Sequence, residues 1–231
     1  MIIPVAHENE WAQALSQAPA WTPPSCPTLI MAPHPDDETL AAGGLIATLR
    51  LAGVDVVVAA VTDGENAYPD TPGLGELRAR EQQHALHRLG VPLHKIVRFH
   101  LPDSAVNAHE DTLLERLIPL VSPGMHVVAP WSRDFHPDHE ACGRAAEAVA
   151  LKTGALLTSW LFWTWHRGTP QMLATERLRS FPLSDAAMSA KADALDCHHS
   201  QLTHESGEPI LPAHLLAPAR RNFETFLVHE H

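Results

Sequence analysis

Basic residues are in short supply in this chain: Lys and Arg number 16 against 27 Asp and Glu, for a formal net charge of −11. That balance argues against a nucleic-acid backbone or an anionic membrane surface as the main partner. Cysteine is scarcer still. Cys26, Cys142 and Cys197 are odd in number and far apart, so they make neither a disulfide framework nor a CxxC metal knuckle, and each is read as ordinary packing. No uninterrupted apolar run is long enough to span a bilayer. The first ten residues have neither a basic region nor an apolar core of signal-peptide type, so the expected compartment is the cytoplasm. A Gly-rich phosphate loop of Walker type and a dense Arg/Lys cluster are also missing, which disfavours a phosphoesterase.

What the chain does have is length and pattern. Its 231 residues, 45% of them hydrophobic, suit one domain with a substantial core. Residues 1–26 read as an N-terminal extension, an amphipathic segment and a Pro-rich lead-in packed onto a domain spanning 27–231. From Thr28 onward strands and helices alternate: strands near 28–33, 54–61, 95–99, 125–129, 155–162 and 177–182, with helices near 38–52, 75–89, 111–121, 138–152 and 184–199. Such alternation implies βαβ crossovers, hence an α/β fold: a single-domain, Rossmann-like three-layer sandwich with a mainly parallel sheet. The tail, with Pro209, Pro212 and Pro218, reads as irregular and offers no chemistry.

Two clusters of imidazole and carboxylate sit where strands give way to helices: Ala32-Pro33-His34-Pro35-Asp36-Asp37-Glu38 and His136-Pro137-Asp138-His139. In an open α/β sheet these strand ends share one edge, where ligands bind. Adjacent carboxylates repel, so a divalent cation stabilises the pair, and three His/Asp ligands plus water make a catalytic zinc site. One carboxylate would hold the metal and its neighbour take a proton from water. One imidazole would complete the ligand set, while the other would act as acid or oxyanion donor, with Asp138 holding its tautomer and raising its pKa. Spacing alone does not say which Asp or which His does which.

Pro33-His34-Pro35-Asp36-Asp37-Glu38 with Gly43-Gly44, Thr62-Asp63-Gly64-Glu65, Arg78-Ala79-Arg80-Glu81 before Leu89-Gly90-Val91, His136-Pro137-Asp138-His139, and Lys191, Ala194 and His199-Ser200-Gln201 occur in order. Together they resemble the PIG-L (LmbE-like) family of zinc-dependent N-deacetylases. The resemblance implies metal ligands His34, Asp37 and His139, Asp36 as general base, His136 as acid or oxyanion stabiliser and Asp138 as its orienting partner. It also implies a substrate contact at Arg78. Glu38 is expected behind the ligands or as a helix-dipole partner.

The expected activity is hydrolytic removal of an acyl group, acetyl by preference, from the nitrogen of an amino sugar or related glycoconjugate. Zinc is the default ion, with Fe(II), Co(II) or Mn(II) suited to the same ligands. The alternatives are an amidase acting on a non-sugar or thiol conjugate, and a non-catalytic metal- or carbohydrate-binding protein on the same fold. The partner is a small acylated amine; the oligomeric state, a homo-oligomer included, stays open. Of the tryptophans, Trp131 is expected near the substrate, whereas Trp160, Trp163 and Trp165 read as core or interface packing.

Overall fold

Three apolar runs, Thr28–Ala32 (β1), Val56–Ala60 (β2) and His126–Pro130 (β4), are buried on both faces, as strands of a parallel sheet covered by helices must be. Their period of two is visible in the packing. In β1, Ile30 and Ala32 join one hydrophobic cluster, while Leu29 and Met31 join another on the opposite face. The computed structural model describes residues 3–68, 71–203 and 207–229.

The other strands are Ile96–Arg98 (β3), Leu156–Trp160 (β5), Leu178–Pro182 (β6) and Phe223–Val228 (β7). The helices are Glu8–Leu15 (α1), Asp37–Leu51 (α2), Leu74–Arg88 (α3), Glu110–Leu117 (α4), Pro137–Thr153 (α5), Trp163–Arg167 (α6), Asp185–Leu195 (α7), His199–Leu202 (α8) and Ala213–Leu216 (α9). The result is a three-layer sandwich. Side chains of α2, α3 and α7 cover one face of the sheet, and those of α4 and α5 cover the other. Each fully buried Leu, Ile or Val in these layers contributes about 1.5–3 kcal/mol. No helix among the described residues is long and apolar enough to cross a membrane.

The seven strands run in the order β3-β2-β1-β4-β5-β7-β6. β1 pairs in parallel with both β2 and β4. The chain therefore steps outward from β1 to β3, then returns to place β4 on the other side of β1. That reversal opens a crevice at the carboxyl ends of β1 and β4, the usual ligand position of such sheets.

α5 is seated tightly against this edge. Pro137 occupies its first turn and Gly154, at φ 73°, closes it. A Cβ on Gly143 would lie 2.5 Å from the Ser132 nitrogen and 2.8 Å from the Pro130 oxygen, so only glycine lets the helix ride on the backbone leaving β4. His139 lies one turn earlier on the same helix.

Two expectations change. The tail is not irregular throughout, because β7 inserts between β5 and β6 and runs antiparallel to both. Its Phe-Glu-Thr-Phe-Leu-Val is a strand sequence whose pairing partners lie far upstream, and the prolines before it end only local elements. The single helix expected at 184–199 is broken into α7 and α8. The N-terminal segment sends Trp11 and Leu15 into a small core with Trp131, Leu161 and Trp165, and Trp11 Nε1 donates to the Trp165 carbonyl at 3.0 Å. The three cysteines are free, as their spacing implied, and Cys142 is core.

Candidate active site

His34 leaves β1 two residues past its end, and α2 begins at Asp37. Between them Asp36 takes a φ of 144°, a conformation that costs a side-chain-bearing residue about 1–3 kcal/mol. This abrupt turn puts Asp37 back against His34. One carboxylate oxygen, Asp37 Oδ2, lies 2.9 Å from the His34 amide, 3.0 Å from His34 Nδ1 and 3.2 Å from Nε2 of His139. Asp37 thus joins two imidazoles that are 105 positions apart in the sequence (139 minus 34).

His139 is fully buried and its orientation is set from behind. Its Nδ1 lies 2.9 Å from Asp134 Oδ2. Asp134, itself fully buried, also accepts from the amides of Phe162, Trp163 and Thr164 and from the Thr164 hydroxyl. A carboxylate so saturated with donors is an acceptor only, which puts the imidazole proton on Nδ1 and leaves Nε2 facing Asp37. Nε2 has no hydrogen-bond partner despite the short distance. A lone pair and a carboxylate oxygen facing each other in a buried site fit a shared positive species. The protonation balance agrees: burial opposes charge on His139, but Asp37 and Asp134 outweigh it and push it up to about 9. A metal ion would compete with that proton. Burial alone would also raise Asp37, yet His139 and His34 hold it well below the usual carboxylate range.

His34 Nε2 lies 3.2 Å from Asp138 Oδ2 and 3.3 Å from Asp103 Oδ1. Two groups therefore have ligand-type atoms within 4.8 Å of one another: His34 with His136 and His139, and His34 with Asp103 and Asp138. Asp103 and Asp134 were not singled out from the sequence. A signal existed for the first, since Leu101-Pro102-Asp103-Ser104 is the turn after β3, on the same sheet edge. For Asp134 only its closeness to His136 pointed the way.

Asp36 lies beside this group, 3.2 Å from Arg78 Nη2. Burial raises its carboxyl to about 7 even though Arg78 opposes the shift. Arg78 is buried; its Nη1 donates to the Gly64 carbonyl and its Nη2 to the Pro35 carbonyl and Asp36, while its Nε has no partner. Gly64 sits at φ 65°, and a Cβ there would fall 2.0 Å from Arg78 Nη1. Glu38, behind the ligands, accepts from Gln82 and Thr39, and burial pushes it up to about 7.

His136 caps α5: its Nδ1 accepts from the Asp138 amide at 3.3 Å. The expectation that the Asp138 carboxylate orients His136 and leaves its pKa raised is corrected. The Asp138 carboxylate instead accepts from the amides of Ser104 and Val106 and faces His34. Burial, with the neighbouring His139 and His34, lowers His136 to about 4 and outweighs the upward pull of Asp37 and Asp138. The reason is that the segment after β3 claims this carboxylate, with the Ser104 and Val106 amides donating one to each of its oxygens.

Of these groups His34, Asp36, Asp37, Arg78, Asp103 and His136 line a cavity of about 290 Å³. Leu40, Phe162, Ile210 and Leu211 give it an apolar wall, and Trp163 and Arg167 stand at its rim. Ile210 and Leu211 come from the tail, tied to the loop after β2 by a 2.9 Å bond from the Ile210 amide to the Tyr68 hydroxyl. Trp131 is corrected as well. It is buried in the small core with Trp11 and Trp165 and does not line the cavity. Trp163 does so instead, with its ring stacked near His136 at 5.8 Å and 16°.

Fold and side chains together define an α/β protein with a His/Asp cluster of metal-ligand type at its sheet switch point. Comparison with known proteins narrows the class. The model of the PIG-L family, described as GlcNAc-PI de-N-acetylase, matches residues 29–150, and the chain belongs to that family. A probable N-acetyl-alpha-D-glucosaminyl L-malate deacetylase 2 of Bacillus cereus is 32% identical over 127 residues, 51% of this chain and 57% of the relative. The protein so described in Bacillus subtilis is 30% identical over 128 residues, with the same coverage. The chain thus spans just over half the length of these relatives. N,N'-diacetylchitobiose deacetylase from Pyrococcus horikoshii shares the fold, with a TM-score of 0.66 at 21% identity over 97% of this chain and 87% of its own.

Proposed function

We propose that the protein is a metal-dependent hydrolase that removes an acyl group, acetyl by preference, from the nitrogen of an amino sugar or a related conjugate. The observation that carries this reading is the single Asp37 oxygen shared by His34 and His139, with Asp36 beside it in an open cavity. Family membership supports it, as do the relatives whose described activities are deacetylations of N-acetylglucosaminyl malate and diacetylchitobiose.

His34, Asp37 and His139 are the proposed ligands, with zinc as the default ion and Fe(II), Co(II) or Mn(II) suited to the same donors. When bound there, such an ion supplies Lewis acidity toward the amide carbonyl and lowers the pKa of water toward ~7. Asp36, balanced near neutrality by burial against Arg78, takes the proton of the attacking water. His136 stays neutral at pH 7. Because its Nδ1 accepts from the Asp138 amide, its proton is on Nε2, available to an oxyanion at the former carbonyl. Asp36 then returns its proton to the departing nitrogen, giving a free amine and a carboxylate. Asp138 and Glu38 act behind these groups, Asp138 on His34 and Glu38 on the start of α2. Arg78 holds Asp36 and the turn that carries it, and its place on the cavity wall is its route to substrate.

Purified protein incubated with the methyl glycoside of N-acetylglucosamine is expected to release acetate, to lose this activity on chelation and to regain it with added zinc. Absence of acetate from this and other N-acetyl amino sugars, with each of the four ions supplied, would refute the reading.

A further inference from the structure

Arg167 ends α6 at the cavity rim, and the deacetylase mechanism above does not use it. Its guanidinium lies over the Trp163 ring, 4.2 Å from the centroid, and its Nη1 donates to the Phe135 carbonyl at 2.7 Å. Phe135 takes a φ of 59°, so the carbonyl that holds the arginine belongs to a strained turn. The side chain is exposed yet held on two sides, and it makes no ion pair among the described residues. An unpaired arginine is unusual beside an acidic site in a chain of net charge −11. The other arginine on the cavity, Arg78, is buried against Asp36.

Building on the deacetylase reading, we propose that Arg167, seated on Trp163, binds an oxyanion, a carboxylate or phosphate, on the amine carrier of the substrate. Three observations converge on this role. A guanidinium stacked on an indole keeps its planar fork of donors in one orientation, suited to a two-oxygen anion. The indole face is covered by the guanidinium, so Trp163 serves as a post for Arg167 rather than as an open platform for a sugar ring. The cavity is also polar in charge, with Asp36, Asp37 and Asp103 on the floor and Arg167 at the rim. A ligand with an amide at one end and an anion at the other can seat its anion on Arg167 while its amide lies toward Asp36. Trp163 touches both Arg167 and His136, so amide and anion sit on a compact carrier rather than at the ends of a long chain.

The test uses three N-acetylglucosamine derivatives: the neutral methyl glycoside, the carboxymethyl glycoside and the 1-phosphate. For the wild type, kcat/KM for at least one charged compound should exceed that for the methyl glycoside by on the order of 10- to 100-fold, the worth of a charge-assisted pair. The better of the two charged compounds tells carboxylate from phosphate. In Arg167→Gln the charged-to-neutral ratio should fall toward 1, and Arg167→Lys should restore part of it. A merely structural arginine would lower all three rates together and leave the ratio standing, which would overturn the proposal, as would a wild-type ratio near 1. Binding of the same compounds by calorimetry separates this proposal from the activity it builds on. Arg167-dependent preference for the anion without any hydrolysis sinks the deacetylase reading alone; hydrolysis without that preference sinks the anion site alone.

Discussion

His34-Pro35-Asp36 after β1 and His136-Pro137-Asp138 after β4 are the same three residues at neighbouring strand exits, folded in two ways. After β1 the proline lies in the turn, Asp36 is forced to φ 144°, and the helix starts only at Asp37. After β4 His136 is extended and Pro137 is already the first residue of α5. The residue three after the histidine is therefore the first of one helix, Asp37, and the third of the other, His139. That offset lets Asp37 fold back on its own histidine while His139 reaches across to meet it. Support differs too. His139 is backed by a saturated Asp134, whereas His34 leans on Asp103 and Asp138, which arrive from other segments. A shared tripeptide does not carry a shared role; the position at which the helix begins decides it.

The sharpest way to break this comparison is at Asp36 in the first exit and at Asp134 behind the second. Asp36→Asn is expected to retain its metal and lose about 10²–10⁴ in kcat, the usual contribution of a positioned base. Metal content and steady-state turnover read this directly, and near-normal turnover would remove Asp36 from the chemistry. A smaller effect is expected behind the second exit. Asp134→Asn should weaken zinc binding by about 10- to 100-fold, as loss of a partner behind a ligand does, with turnover recovering in excess zinc. If excess zinc restores nothing, Asp134 serves the fold alone.

The last expectation concerns stability rather than catalysis, at a histidine away from both exits. His126 on β4 is buried, with Nε2 2.8 Å from the Thr158 hydroxyl, and burial lowers it to about 4. In the unfolded chain it takes up its proton near 6.5. Between those values the unfolded state binds more protons, so His126 makes stability fall as pH drops from about 6.5 to about 4, by at most about 3 kcal/mol. Denaturant titrations at pH 7 and 4.5 should show a smaller acid loss for His126→Gln than for wild type. Equal losses would assign the acid sensitivity to other groups.

The alternation of strands and helices from Thr28 to Trp160 was legible because each element carries its own periodicity. Both strand-exit clusters were legible because their residues lie close together in sequence. What escaped was made by contacts between distant segments. β7 could not be recognised as a sheet strand without β5 and β6 to pair with. Asp103 and Asp134 are single carboxylates whose meaning comes from the imidazoles they face. Trp131 and Trp163 exchanged expected places, since nearness to a motif along the chain says little about which way a large ring packs.

The chain by itself determined the layered α/β architecture, the sheet edge that carries the chemistry, and the family, since these depend on local pattern and on motif order. Only the tertiary structure decided that one oxygen of Asp37 bridges two imidazoles, that Asp138 serves His34 rather than His136, and that a tail segment walls the cavity. The physical reason is that hydrogen bonds and metal-ligand contacts act over about 3 Å in space. Separation along the sequence does not encode that distance until the sheet has brought the strands side by side.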